Sequence, residues 1–215
     1  MSRGFRRSRR GIRARFDDQE RALLAHLFVE VHEMLDDGPD GESDPLAMLV
    51  GIGTATDLPG DPAVARLLPD AHRDDPQASA DFRRYTEAGL RQRKRDGLEL
   101  ARQTLGRDGN LVLDDAEAQA WVVALTDVRL VLASRMGLEV DDDHVRLELL
   151  AAAELAHEAA VAQRDAGGGS DDDGEADPSG GEATAGLSML LAIYDFLTWL
   201  QESLVEALLE PLPRD

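Results

Sequence analysis

The chain has 215 residues, a formal net charge of −20, 43% apolar residues and only 4% aromatic residues. It contains no cysteine, which excludes disulfides, thiolate nucleophiles, cysteine-based zinc sites and iron–sulfur clusters. Leu and Ala must therefore supply most of the core, and this favours helix packing over a β-sandwich. The acidic balance argues against a protein that binds nucleic acid through its net charge alone.

The chain begins with a basic segment, and we predict that residues 1–16 form a disordered basic arm. Seven arginines precede the first acidic residue: Arg3, Arg6, Arg7, Arg9, Arg10, Arg13 and Arg15. No apolar stretch follows them, which argues against a secretory signal. The longest apolar run, LSMLLAIYDFLTWL, is too short to span a bilayer and contains Asp195. We therefore expect a cytoplasmic protein that does not associate with a membrane.

Local signals predict helices in the first half of the chain. Asp17 and Glu20 can cap a helix that continues to about Leu35, with apolar residues at helical spacing. An Asp-Pro pair is a typical helix start. The pairs at 44–45 and 61–62 predict two short helices, and the pair at 75–76 precedes a long helix over 78–105.

In the second half, Gly109-Asn110 predicts a turn, and 111–113 is either one short strand or an extended lead-in to the next helix. Asp114 and Glu117 begin a strong helix to Met136, which Gly137 ends. We predict a helix at about 144–164, an acidic disordered loop at 166–186, an apolar helix at 187–210 and a tail at 211–215. The predicted fold class is mostly α: a compact helical bundle of about five to seven helices, with at most one short β segment, in a single helical domain over 17–210.

Signatures of catalysis and of cofactor binding are missing from the sequence. The string GIGTAT lacks both the third glycine of a dinucleotide fingerprint and the lysine of a phosphate loop. His26, Glu30 and Glu33 share a helix face opposite the apolar stripe, which indicates a solvated face rather than a metal site. Glu154 and His157 have the spacing of one di-iron motif, but such sites need two motifs. We predict no catalytic residue, no cofactor, no metal site and no enzymatic activity.

Two basic segments indicate a possible polyanion ligand. On the long helix, Arg84, Arg91 and Arg95 recur along one side, where they can neutralise phosphates. The alternative is that the helix cations pair with the protein's own surplus of Asp and Glu. The candidate nucleic-acid-binding residues are Arg83, Arg84, Arg91, Arg93, Lys94, Arg95, Arg6, Arg7, Arg9 and Arg10.

The arm itself has three interpretations: a tail that orders on nucleic acid, a partner of the acidic loop, or an extension produced by an upstream start codon. If the loop, which contains Asp171-Asp172-Asp173, competes for the arm, the two form an autoinhibitory pair. Deletion of 166–186 should then tighten DNA binding at low salt. We expect the loss of the arm to leave the fold intact.

Several strings occur in a recognisable order: DPL and LVG within 44–51, DP and ARLLPDA within 61–71, FRRYT at 82–86, the helix from AW to DVRL at 120–130, and LTWLQESL at 197–204. Over residues 16–209 they resemble an actinobacterial family of unknown function that includes AosR-type oxidative-stress transcriptional regulators. The resemblance implies a small cytoplasmic helical protein, often encoded near the protease adaptor ClpS and cysteine-synthesis genes.

For the regulator-type members, the resemblance implies promoter binding and contact with a sigma factor, with cysteine chemistry as the sensor. This chain departs from that pattern because it has no cysteine. The thiol-sensing step is therefore not carried over. Oxidation of a methionine is a candidate substitute, at Met34, Met48, Met136 or Met189.

Two functional hypotheses follow. The first is a non-enzymatic, DNA-associated transcriptional regulator of a stress response, without a cysteine switch, which contacts phosphates through the arm and the helix around 83–95. The second is a protein-interaction module for a sigma-factor or proteolysis-adaptor partner, which presents Trp199, Leu200 and Gln201 on the last helix. An enzyme that uses a metal or cofactor ranks third. DNA and a protein are thus the two candidate partners.

Overall fold

The structure, a computed structural model, describes residues 3–36, 58–72, 74–107, 109–138 and 179–211, with the backbone alone at 3 and 179–185. The described elements, in chain order, are β1 (Arg3–Ser8), β2 (Gly11–Arg15), α1 (Asp18–Asp36), α2 (Pro62–Leu67), α3 (Pro76–Leu105), β3 (Leu111–Leu113), α4 (Asp115–Arg135) and α5 (Ser179–Leu209). The predicted mostly α-helical class is confirmed. The chain divides into two compact units, Met1–Val131 with Leu197–Asp215, and Leu132–Phe196.

The first unit contains a small sheet, so the predicted disordered arm is wrong. Residues of the arm form an antiparallel hairpin, β1–β2, and β2 also pairs antiparallel with β3, so the strand order is β1-β2-β3. Ile12 lies opposite Leu113 and Ala14 opposite Leu111. The expectation of at most one short β segment is corrected to a three-stranded sheet in the described residues.

Alternation along the arm explains why it forms strands. Phe5, Ile12 and Ala14 face inward and are at most 4% exposed, whereas Arg6, Arg13 and Arg15 are exposed on the outer face. Gly11, after the two-residue turn, has φ +117°, and a Cβ on it would lie 2.3 Å from the carbonyl oxygen of Leu113. Only glycine allows the strands to approach this closely.

The hairpin carries part of an aromatic core around Trp121. The Trp121 ring centroid lies 5.3 Å from that of Phe28, 5.6 Å from Phe5 and 6.2 Å from Phe16. The indole Nε1–H of Trp121 donates to Thr104 Oγ1 at 2.7 Å, which satisfies the one polar group of this buried side chain. Since Phe5 belongs to this cluster, the arm packs into the core of the unit, and whether its loss leaves the fold intact stays a prediction to be tested.

Helix starts agree with the local sequence signals. Asp17 and Glu20 form a reciprocal capping box, with bonds of 2.9 and 2.8 Å, and Asp114 and Glu117 form another. The predicted starts of α2 and α3 are also confirmed, because Asp61 and Asp75 cap them, each followed by proline.

Within the first unit, α1 packs against α3. The buried residues of α1 are Leu24, Phe28, Val31 and Leu35, at helical spacing. His26 and Glu30 lie on the exposed side of α1, where His26 Nδ1 is 3.9 Å from Glu30 Oε1.

The second unit is described at 132–138 and 179–196. Gly137 has φ +72°, its N–H donates to Ser134 O, and the Leu138 N–H donates to Ala133 O at 2.8 Å. This Schellman motif confirms Gly137 as the residue that ends the helix.

The last helix begins earlier than predicted. Residues 179–186 are helical rather than part of a disordered loop, because propagation of an existing helix adds one hydrogen bond per residue even in a polar segment. The predicted helices after Pro45 and at 144–164, and residues 166–178 of the predicted loop, lie outside the described residues. Within the described ranges, no helix is both long and apolar enough to cross a membrane.

Candidate nucleic-acid interface

Arg83, in the FRRYT string on α3, is buried and paired. Its side chain is 4% exposed and donates to Glu87 at 2.6 Å, to Asp70 at 2.7 Å and to the carbonyl oxygen of Leu68 at 3.2 Å. Burial alone would lower the pKa of Arg83, but the hydrogen bonds to Glu87 and Asp70 raise it above its ordinary value. Arg83 therefore joins α3 to the segment that follows α2.

The next cations along α3 continue this network. Arg91 Nε donates to the same buried Glu87 at 2.9 Å, and Arg91 Nη1 donates to the carbonyl oxygen of Leu35 at the end of α1. Arg95 Nη1 lies 2.8 Å from Asp36 Oδ1. Arginines thus fasten the C-terminal end of α1 to α3.

Lys94 pairs with a buried carboxylate of α4. Its Nζ lies 2.5 Å from Asp127 Oδ1, and the Asp127 side chain is only 2% exposed. Asp127 Oδ2 has no hydrogen-bond partner among the described residues. Burial raises the pKa of Asp127, and the charge of Lys94 opposes that rise.

These contacts correct the predicted phosphate-binding face of α3. Four of its candidate cations, Arg83, Arg91, Lys94 and Arg95, are paired with acidic residues of the chain, as the alternative interpretation held. Arg84 is half-buried and Arg93 is exposed, and for these two the nucleic-acid role stays a prediction.

The arginines of the hairpin divide between its two faces. Arg7 lies opposite Ile12 on the inner face, and its Nη1 is 2.5 Å from Asp115 Oδ1 at the start of α4. The hydrogen bond from Arg7 lowers the pKa of Asp115. Arg7 therefore fastens the hairpin to α4, which corrects its assignment to a phosphate-binding surface.

Three arginines lie on the outer face of the hairpin, and we call Arg6, Arg13 and Arg15 the hairpin face. All three are exposed, and Arg6 is the register partner of Arg13 on the neighbouring strand. None of them forms an ion pair with a carboxylate of the described ranges. Like charges placed opposite each other on a sheet are unfavourable, so the hairpin face would be stabilised by an external anion.

An open groove of about 290 Å³ follows the hairpin face, and Asn110, from the turn before β3, lies at one side of it. Arg9 and Arg10 occupy the exposed turn at the end of the hairpin. Ser8 Oγ stabilises that turn, since it donates to the carbonyl oxygen of Gly11 at 2.6 Å and accepts from the Arg10 N–H at 3.3 Å. Guanidinium and amide groups are among those that contact phosphates and base edges in protein–DNA complexes. Here the paired strands hold these groups in place.

The predicted partner-binding residues of α5 separate in the structure. Trp199 is 40% exposed, but Leu200 is fully buried. Gln201 bonds internally, because its Oε1 accepts from Arg129 at 2.8 Å and its Nε2 donates to Thr126 Oγ1 at 2.9 Å. Leu200 and Gln201 therefore serve the first unit itself, and only Trp199 stays a candidate for partner binding.

Sequence reasoning missed Arg13 and Arg15 as site residues. The signal was the period-two alternation of GIRARF, in which Ile12, Ala14 and Phe16 alternate with the two arginines. The basic composition favours a disordered arm, but the buried apolar residues between the arginines make the segment a strand. The described residues hold no cluster of three or more His, Asp or Glu placed to bind a metal.

Comparison with known proteins gives one family. The family model described as "Domain of unknown function (DUF2017)" matches residues 2–208. The match includes the basic segment, whereas the resemblance found from the sequence began at residue 16, so the arginines lie within the family region and not before it.

The curated relatives include proteins named "Oxidative stress regulator AosR" from Mycobacterium bovis (strain ATCC BAA-935 / AF2122/97) and Mycobacterium tuberculosis (strain ATCC 25618 / H37Rv). Each is 34% identical over 137 residues, which covers 56% of this chain and 63% of the relative. The resemblance found from the sequence is thereby confirmed. No solved structure shows significant similarity to the chain.

Proposed function

The chain belongs to the DUF2017 family, and from this premise we propose that it is a non-enzymatic regulator of a stress response that associates with DNA through the hairpin face. The names of the mycobacterial relatives support the regulatory part of the proposal. The chain spans 63% of the length of those relatives. Since the 215 residues include no cysteine, a thiol switch within this chain is not part of the proposed function.

The observation that carries the DNA-binding part is the contrast between two sets of cations. On α3, Arg83, Arg91 and Lys94 are paired with carboxylates at 2.5–2.9 Å. On the hairpin face, three guanidinium groups have no carboxylate partner in the described residues, although the chain carries 43 acidic residues. A polyanion is the ligand that several unneutralised arginines on one surface favour.

The scaffold also suits this ligand. A two-stranded antiparallel ribbon fits the major groove of B-DNA, where arginine bonds guanine and asparagine bonds adenine. β1 and β2 are two antiparallel strands of the three-stranded sheet, their outer face carries the hairpin-face arginines, and Asn110 lies beside those arginines. Most of the affinity would come from phosphate contacts, so binding should fall steeply with salt.

The test is a salt series of duplex-DNA binding by the full chain and by a variant with Arg6→Gln, Arg13→Gln and Arg15→Gln. Each lost phosphate contact reduces the slope of log K against log salt by about 1, so we expect a reduction of about 2–3 and weaker binding at every salt concentration. Fluorescence anisotropy of a labelled duplex measures both quantities.

Two control variants distinguish a specific effect of the hairpin arginines on DNA binding from a general effect of lost positive charge. Arg102→Gln with Arg107→Gln removes two exposed cations that pair with Glu99 and Glu117, and this variant should bind as the wild type does. Arg84→Gln with Arg93→Gln tests the remaining candidates on α3. DNA binding that is unchanged in the hairpin variant would contradict the assigned surface, and no binding at low salt would contradict the DNA role.

The exposed side of α5 favours a second candidate function, a protein-interaction module. Trp199, Val205 and Leu209 are 40%, 38% and 80% exposed, and Glu202 and Glu206 lie on the same side of the helix. Such an acidic and apolar stripe suits a partner that presents apolar and basic residues. A purified sigma factor should then bind the wild type but not Trp199→Ala, and equal binding by both proteins would rule out this surface.

A further inference from the structure

A second cavity, of about 830 Å³, lies next to the hairpin within the first unit. It is formed by the end of β2, the first turns of α1, and Gly106, Arg107, Gly109 and Asn110 between α3 and β3. Its volume falls within the range of binding sites for small molecules. Neither the ion pairs of α3 nor the proposed role of the hairpin face assigns a function to this cavity.

Arg21 gives the cavity a fixed positive charge. Its guanidinium donates to the backbone carbonyl oxygens of Leu105 and Gly109, which are neutral acceptors. The bonds hold the side chain in place but leave its charge uncompensated. Arg15 lines the same cavity and has no carboxylate partner in the described ranges.

The two other arginines of the lining are already neutralised. Arg102 Nε lies 2.7 Å from Glu99 Oε2, and Arg107 Nη2 lies 2.5 Å from Glu117 Oε1. The hydrogen bond from Arg102 is the main reason that the pKa of Glu99 falls to about 2. Asp18 is the acidic residue among the described residues of the lining, so in this part of the chain two cations without a carboxylate partner oppose one carboxylate, which favours an anion.

Apolar residues form another part of the lining. Phe16 and Leu105 are buried residues at 6% and 3% exposure, while Ala22 and Ala25 line the α1 side and leave space there. We propose that this cavity binds a small organic anion, a phosphate ester or carboxylate, whose charged group contacts Arg15 and Arg21 and whose apolar part lies against Phe16 and Leu105.

One consequence, unlike the site itself, rests on the proposed function. Arg15 and Asn110 line both this cavity and the groove of the hairpin face. An anion in the cavity occupies Arg15 and adds negative charge beside Arg13. The small ligand and DNA therefore compete, and the cavity regulates the hairpin face.

The site is tested without DNA, by isothermal titration calorimetry of the full chain with phenyl phosphate, inorganic phosphate and benzyl alcohol. Phenyl phosphate should bind tightest, at least about fivefold more tightly than inorganic phosphate, because its ring also buries apolar surface. Benzyl alcohol, which lacks the charge, should give no measurable binding.

Three variants locate the binding. Arg15→Gln should weaken phenyl phosphate binding about tenfold through loss of a charge-assisted hydrogen bond. Ala22→Phe should also weaken it, because the added ring takes up part of the space that the ligand's ring would occupy. Arg13→Gln is the matched control, since Arg13 is on the same strand and is also exposed but does not line this cavity. Equal weakening by Arg13→Gln and Arg15→Gln, normal binding by Ala22→Phe, or no binding by the wild type would each overturn the proposal.

The competition is measured separately, as DNA binding with and without phenyl phosphate at constant ionic strength. We expect phenyl phosphate to weaken DNA binding by the wild type and to have little effect on Ala22→Phe. Phenyl phosphate binding without DNA binding would contradict the proposed function but leave the cavity assignment intact. If phenyl phosphate does not change DNA binding, only the proposed regulation of the hairpin face by the cavity is contradicted.

Discussion

Buried carboxylates need a cation, and at the residue scale this requirement determines the role of the α3 side chains. Glu87 and Asp127 are almost completely buried, and each lies within 2.5–2.9 Å of an arginine or lysine of α3. Removal of one partner of a buried pair leaves an uncompensated charge, which costs more than the pair contributes. Arg83, Arg91 and Lys94 of α3 are therefore structural counter-ions.

For the Lys94–Asp127 pair, we predict that removal of the lysine destabilises the fold more than removal of the carboxylate charge does. Lys94→Met should lower the free energy of unfolding by about 3 kcal/mol, because it leaves the buried Asp127 carboxylate unpaired. Asp127→Asn should cost clearly less, because the remaining Lys94 side chain is 14% exposed and nearer to water. Urea denaturation measures both, with Arg93→Met as the exposed control, expected to stay within about 0.5 kcal/mol of the wild type.

The same pair predicts a pH dependence. Burial raises the folded-state pKa of Asp127 above its unfolded value of 3.8, so its ionised form destabilises the fold above that raised pKa. Without Lys94 the pKa of Asp127 rises further. The stability deficit of Lys94→Met should therefore be largest well above the raised pKa of Asp127 and shrink as the pH falls through that pKa, as urea denaturation at a series of pH values would measure. A deficit that grows on acidification would show that Asp127 is not the unpaired charge.

At the scale of elements, the hairpin depends on the rest of its unit. A two-stranded hairpin alone is marginally stable in water. Here β2 pairs with β3, the Phe5 N–H donates to Ser203 Oγ of α5 at 3.0 Å, and Phe5 packs on Trp121 at 5.6 Å. The hairpin and the helices therefore stabilise each other, and a rigid hairpin can present arginines in a fixed arrangement.

Truncation of the hairpin core tests this dependence. Phe5→Ala should lower the free energy of unfolding by about 3–5 kcal/mol, because it leaves a cavity beside Trp121 and Phe16. Deletion of residues 1–15 should destabilise more, since Ile12 and Ala14 are lost as well. Arg6→Ala is the matched control on the outer face of the same strand and should change stability by less than about 0.5 kcal/mol. If the deletion variant had the same free energy of unfolding as the wild type, the arm would be dispensable for the fold.

At the scale of the whole molecule, 43 acidic residues and 23 Lys and Arg residues leave the chain with net charge −20. Repulsion among exposed acids opposes the compact state, and salt screens it. Salt screens the electrostatic attraction within the buried ion pairs of Arg83 and Lys94 much less than the repulsion among exposed groups. The basic hairpin face is thus a local exception on an acidic molecule.

This balance predicts that salt stabilises the fold. Raising NaCl from about 0.01 M to 0.5 M should increase the Tm by a few degrees, which corresponds to about 1 kcal/mol for a chain of this size. Glu202→Gln with Glu206→Gln, two exposed acids of α5, should raise the Tm at low salt and reduce its salt dependence. Arg84→Gln with Arg93→Gln should have the opposite effect. A Tm that falls with salt would mean that exposed ion pairs outweigh the repulsion.

The sequence by itself determined the features that depend on near neighbours. The capping boxes at Asp17 and Asp114, the proline-led start of α3 and the glycine end of α4 all join residues at most five positions apart. The mostly α class follows from these local signals together with helical apolar spacing. The order of several short sequence strings also indicated the family, and the family match confirms it.

Only the tertiary structure decided which arginines are counter-ions and which are exposed. Lys94 and Asp127 are 33 positions apart, Arg7 and Asp115 are 108 apart, and Ile12 pairs with Leu113 across the sheet. Residue type does not indicate such partners, because a guanidinium beside a buried carboxylate and one in solvent look alike in a string of letters. The physical reason is that burial and pairing depend on which distant elements pack together. In the described part of the chain, this packing gives carboxylate partners to four cations of α3 and none to the three arginines of the hairpin face.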